Sequence, residues 1–195
     1  DAGSVLLVEL DGPHAEVEAL TEPVIALGRE NRMREVRVAK DDAERALLWK
    51  GRKAAFAAMG QISPAYYVQD GVIPRTQLLK ILGEIDELSL KYGLRVANVF
   101  HAGDGNLHPL ILYDDRTEGE MQKAEAMGAE IMQRCIAVGG SITGEHGVGF
   151  EKRDFMPLMY SPADLEAMAK LKRVWNPDGL LNPGKIFPET ADAGH

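Results

Sequence analysis

The chain has a single cysteine, Cys135, among its 195 residues. No disulfide can form within it, so folding does not depend on an oxidising compartment. It is also short of positive charge: 22 Lys and Arg stand against 30 Asp and Glu, a formal net charge of −8. Nucleic-acid binding needs a basic surface that neutralises phosphates, so this balance argues against a nucleic-acid partner. An enzyme acting on a small organic acid is not excluded, because a few cations in one pocket suffice to hold such a substrate. No apolar run approaches the roughly 18 residues of a membrane span. No leader peptide is visible, and there is no internal repeat or low-complexity segment. The start at Asp1, running at once into a strand-like segment, reads as a cut piece of a longer protein.

What is present is ordinary for a globular domain: 45% hydrophobic and 27% charged residues, enough to bury a core. Val5 to Leu10 reads as a buried strand closed by Asp11-Gly12-Pro13. His14 to Glu30 has helical spacing interrupted by Pro23, and Val36-Arg37-Val38 reads as a short strand. Asp41 and Asp42 can cap a helix running to about Met59. Tyr66 to Val68 and Val72-Ile73 look extended. Pro74 opens a helix through Leu78, Leu82, Ile85 and Leu88 that Gly93 ends. Arg95 to Tyr113 is dense in strand signal, Glu118 to Val138 is helical with Cys135 on its apolar face, and residues 141–154 are glycine-rich. Ser161-Pro162-Ala163-Asp164 marks another helix start, which Asn176-Pro177 stops. The expected class is α+β: an antiparallel, ferredoxin-like sheet with helices on one face, plus a helical C-terminal segment. The expected division is 1–155 and 156–195.

Two segments concentrate chemistry. In His101-Ala-Gly-Asp-Gly-Asn-Leu-His108, Asp-Gly between apolar runs signals a hairpin. With Asp104 and Gly105 as a two-residue turn, His101 would face His108 directly across the strands, and two imidazoles so placed can reach one metal. A polar cross-strand pair on an open face is the other reading of the same residues. In Gly144-Glu145-His146-Gly147-Val148-Gly149, the glycines allow a turn in which Glu145 and His146 both enter one cleft. Glu145 would complete a His₂Glu set, and an unligated His146 suits proton transfer near neutral pH. A tight loop with an exposed ion pair is the alternative. Three of the five histidines fall in these two segments.

These two segments, followed by Leu181-Asn182-Pro183-Gly184-Lys185-Ile186, together resemble the C-terminal domain of the FAD-linked oxidases, flavoproteins of the vanillyl-alcohol oxidase type. The similarity is strongest to the branch that acts on glycolate, D-lactate and D-2-hydroxyglutarate. The resemblance implies that residues 1–155 form a substrate-binding cap, that 156–195 carry a tail returning to the flavin, and that the N-terminal FAD-binding domain lies outside this chain. It implies His101, His108 and Glu145 as ligands of a divalent metal, zinc or manganese. It makes His146 the general base, Arg52 the grip on the substrate carboxylate, and Asn182 the flavin-side tail residue. The 2-hydroxyglutarate branch holds its distal carboxylate with a Thr and a Lys; Phe56 and Val68 stand at those places here, which favours a smaller or more apolar 2-hydroxy acid. Without the resemblance, Arg52 reads as solvated charge beside Lys50 and Lys53, and Trp49 as core. The family leaves room for iron–sulfur or other electron-transfer subunits and for a homodimer. It implies a cytoplasmic location, peripheral to the inner membrane through partners. By itself the chain is expected to be inactive and to bind FAD weakly or not at all. Two rival readings are a stand-alone metal-dependent hydrolase using the same His₂Glu set, and a non-catalytic ferredoxin-like binding domain.

Overall fold

The computed structural model describes residues 3–188. The chain divides into two compact units, residues 1–56 and 57–195.

The first unit holds helix α1 (His14–Glu30), with Pro23 inside it, and most of helix α2 (Asp42–Met59). The start of α2 is fixed by Asp41, whose carboxylate accepts the Glu44 N–H at 2.8 Å. The two strands expected at 5–10 and 36–38 do not form. Val5, Leu6, Val8, Val36 and Val38 are exposed, and neither run enters a strand ladder. Their β-branched composition expresses a propensity, but a strand exists only with a partner.

The second unit is α+β, as expected. Its strands are β1 (Ala65–Val68), β2 (Gly71–Val72), β3 (Arg95–His101) and β4 (Asn106–Tyr113). β4 is central: β3 pairs with one side of it, and β1 and β2 pair with the other, all antiparallel. β1 and β2 keep one register, Val68 opposite Leu110 and Gly71 opposite Leu107. They are one strand interrupted at Gln69-Asp70. Pro109 stands opposite the break, where it has no N–H to give the ladder. A single antiparallel bridge joins Val72 to Ser141 on the far edge. The resulting spatial order, Ser141 segment, β1/β2, β4, β3, is that of a ferredoxin-like sheet whose last strand is reduced to one bridge.

Helices α3 (Leu78–Tyr92) and α4 (Glu120–Ala137) cover one face. Ile81, Ile85 and Leu88 from α3 join Met127, Ile131 and Cys135 from α4 in a core with Leu107 and Ile111 of β4. Side chains alternate along a strand, so Asn106, His108 and Leu110 occupy the opposite face of β4, and they too are buried. α3 ends on Gly93 at φ 68°, a left-handed C-cap. The short helix α5 (Met156–Met159) leads to α6 (Pro162–Trp175), which opens with the capping box of Ser161 and Asp164. Asn176 ends α6, and its side chain bridges to the Leu181 N–H and C=O.

Candidate functional site

The hairpin between β3 and β4 is longer than a two-residue turn. His101 pairs with Asn106 and Val99 with His108, leaving residues 102–105 as the loop. The direct opposition of His101 and His108 is therefore corrected: they are diagonal neighbours. The loop winds so that the N–H groups of Asp104 and Gly105 both donate to the His101 carbonyl, with Gly105 at φ 73°. A Cβ there would strike the Ile73 carbonyl, so Gly105 is required by contact as well as by conformation. The shift in pairing is two residues, and an even shift keeps every side chain on its face. His101 and His108 still share one, their ring centroids 5.6 Å apart.

Glu145 reaches both. Its Oε1 lies 3.4 Å from His101 Nε2 and 3.8 Å from His108 Nε2. One ligand atom from each of these three residues lies within 4.8 Å of the others. The donor set, two imidazoles and a carboxylate, fits a divalent transition metal with an open position. Burial differs along it: the His108 side chain is 4% exposed, whereas His101 and Glu145 are 44% and 56% exposed. The cluster thus has a buried base and a rim open to solvent. Burial pushes the His108 pKa below the usual histidine value, against the pull of the Asp70 and Glu145 carboxylates; the neutral imidazole is the form that ligates.

The loop bearing Glu145 is held from two sides. Asn106 Nδ2 donates to Glu145 Oε1 at 3.0 Å. Gly144 lies so close to the Asn106 amide that a Cβ would fall 2.7 Å from it. On the other side the loop wraps the buried carboxylate of Asp70, which receives the N–H groups of Gly144, Glu145 and His146. His146 is exposed, and its ring stacks on His108 at 5.2 Å and 19°. A second group, Asp70, His108 and His146, also converges within metal-ligand reach. Asp70 Oδ2 is already engaged by five donors, whereas the set of His101, His108 and Glu145 opens to solvent at His101 and Glu145.

Asp70, Asn106 and Lys152 are the site residues that motif reading missed. Burial alone would raise the Asp70 pKa, but the His146 N–H, the Thr143 hydroxyl, the Gly144 N–H and the Lys152 ammonium outweigh it and hold the carboxyl well below its usual range. Lys152, 3.3 Å away, is itself buried.

The remaining expected residues lie elsewhere. Arg52 is half-buried on α2 in the first unit. Asn182 is exposed on the tail at φ 48°. That tail is tied to the segment following His146: the Ile186 N–H donates to the Gly149 carbonyl at 2.7 Å, and Arg153 donates to the Gly184 carbonyl at 3.0 Å.

The second unit is thus a split βαβ sheet that brings a half-open His₂Glu cluster beside a stacked histidine. Comparison with known proteins gives the chain its family. Residues 1–186 match the family described as FAD linked oxidases, C-terminal domain, and the chain belongs to it. The chain is 49% identical to the glycolate oxidase subunit GlcD of Escherichia coli (strain K12), an alignment covering 96% of this chain and 38% of that protein. It is 35% identical to GlcD of Bacillus subtilis (strain 168), covering 97% and 40%. It is 33% identical to D-lactate dehydrogenase [cytochrome] 1, mitochondrial, of Saccharomyces cerevisiae, covering 88% and 30%. The chain therefore spans well under half the length of the curated relatives it matches. No helix among the described residues is long and apolar enough to cross a membrane.

Proposed function

We propose that this chain is the substrate- and metal-binding part of a flavin-dependent dehydrogenase that oxidises a small 2-hydroxy acid, of the glycolate or D-lactate type, to the 2-oxo acid. The observation that carries the reading is the convergence of His101, His108 and Glu145 within 4.8 Å in a member of the FAD-linked oxidase family. The three side chains would hold a divalent zinc or manganese ion, which when bound supplies a Lewis acid that lowers the pKa of a substrate hydroxyl. FAD, bound mainly by the N-terminal region that the longer relatives possess, supplies the acceptor for the hydride.

The chain's own residues do the rest. His146, stacked on His108, takes the hydroxyl proton on its imidazole. Arg52 pairs with the substrate carboxylate, for which the guanidinium fork is matched. Asn182 belongs to the tail that faces the flavin. Functionally, residues 1–155 act as the cap and 156–195 as the tail segment. The enzyme would reside in the cytoplasm, with electron-transfer subunits as its membrane-side partners and a second copy as a further one.

Rejoining the chain to its flavin-binding region and assaying glycolate and D-lactate against an artificial electron acceptor tests this. Turnover abolished by His146→Ala and restored to neither substrate by added metal supports it. Full turnover in that variant refutes the base assignment. Ester or amide hydrolysis by the isolated chain would replace the reading with the hydrolase one.

A further inference from the structure

The densest polar knot in the described residues is built around Asp70, a residue in no motif. It is fully buried and sits in the interruption between β1 and β2, opposite His108 in the register those strands share. Its Oδ2 accepts from Thr143 Oγ1 at 2.9 Å and from the N–H groups of Gly144, Glu145 and His146 at 3.0, 3.1 and 2.9 Å. It also accepts from Lys152 Nζ at 3.3 Å. Thr143 closes the turn: while donating to Asp70, its hydroxyl accepts the Gly147 N–H at 2.8 Å.

Successive backbone N–H groups converging on one point form a nest, a shape that an anion stabilises. Here the anion comes from the protein's own sheet. A loop with four glycines between 140 and 149 has wide conformational freedom. Thr143 ties its ends at Gly147 and Asn106 holds the Glu145 side chain, while Asp70 gathers three consecutive N–H groups of the loop at one acceptor. It has no exposed surface, and its Oδ2 is filled by donors from the protein itself.

We propose that Asp70 is the positioning residue of this site: a built-in anion that holds residues 143–147 in the one shape presenting Glu145 and His146 to His108. This rests on, and deepens, the reading of His101, His108 and Glu145 as a metal site. Its consequence is that the loop is ordered before metal or substrate arrives, so binding does not bear the cost of ordering it. Partners standing behind the ligands commonly change metal affinity about 10–100-fold.

The test uses two readouts on the ¹⁵N-labelled 195-residue chain: hydrogen exchange at the amides of Gly144, Glu145 and His146, and cobalt(II) titration followed by visible absorption. The variants are Asp70→Asn, Asp70→Asn combined with Lys152→Met so that no buried ammonium is stranded, and Thr143→Val. In the double variant the three amides lose protection while those of α3 and α4 keep theirs, and cobalt affinity falls about 10–100-fold. Thr143→Val moves the same amides less. Unchanged protection at the three amides overturns the proposal. Lost protection with wild-type cobalt affinity also overturns it, because Asp70 would then serve the fold and not the site. If the wild-type chain takes up no cobalt, the metal reading fails on its own, and amide protection still decides whether Asp70 holds the loop. Should both Asp70 variants unfold, Thr143→Val decides by the same readouts.

Discussion

Asp70 and His108 face each other across the interruption in the β1/β2 strand, with Oδ1 3.8 Å from Nδ1. Around that pair the sheet changes from structure to chemistry. On the far side of β4 lie Leu107 and Ile111 and the helical core; on this side lie a buried carboxylate, a buried imidazole and the loop that carries Glu145 and His146.

The first prediction concerns acid. Hydrogen bonds and Lys152 hold the Asp70 carboxyl below its usual range in the fold, whereas in the unfolded chain it titrates near about 3.9. A depressed folded pKa means the unfolded state binds the proton first. The stabilisation is therefore complete above about pH 5 and is lost as pH falls through the unfolded value toward the folded one. Urea melts at pH 7, 5 and 3 should show a loss at the lowest pH that is smaller in the double variant Asp70→Asn/Lys152→Met, where only the other carboxylates contribute to it. Asp70→Ala alone, stranding Lys152 in the interior, should cost about 3–5 kcal/mol at pH 7.

Much of the fold was legible from local signals, because those signals act locally. Ser161 and Asp164 cap α6, and Gly93 ends α3, through contacts within a few residues. The strands expected at 5–10 and 36–38 failed for the opposite reason: a strand depends on a partner far away in sequence, which no run of valines specifies. The hairpin register was wrong by two residues because Asp104-Gly105 serves as the end of a four-residue loop, not as a two-residue turn. His101 and His108 still share a face despite that error, since face depends only on parity. Asp70 was invisible because its donors lie 73 to 82 residues away; Gln69-Asp70-Gly71 looks like any polar turn until the 143–147 loop is folded over it.

The second prediction separates two glycines of one loop. Gly105 has φ 73° and its Cβ would meet the Ile73 carbonyl; Gly103 has open space around it. Gly105→Ala should destabilise by more than the about 1–2 kcal/mol of left-handed backbone alone, while Gly103→Ala should fall within about 0.5 kcal/mol of wild type. Chemical denaturation of both variants checks this; equal effects would contradict the observed register.

A third prediction follows from Cys135. It is fully buried in α4, and burial, aided by Glu84, pushes its thiol pKa up to about 12. At pH 8 it should resist a thiol reagent in the native chain and react fully in denaturant. Rapid native labelling would mean that α4 opens readily or packs differently.

The most direct test of the central claim is metal content. Wild-type chain and the variants His101→Ala, His108→Ala and Glu145→Gln are incubated with zinc or manganese, dialysed and analysed for bound metal. A single site predicts about one ion per wild-type chain, none in His108→Ala, and weakened retention in the other two, with all four chains folded. Equal metal in wild type and His108→Ala would contradict the account, because no metal site could then include the buried imidazole at its base.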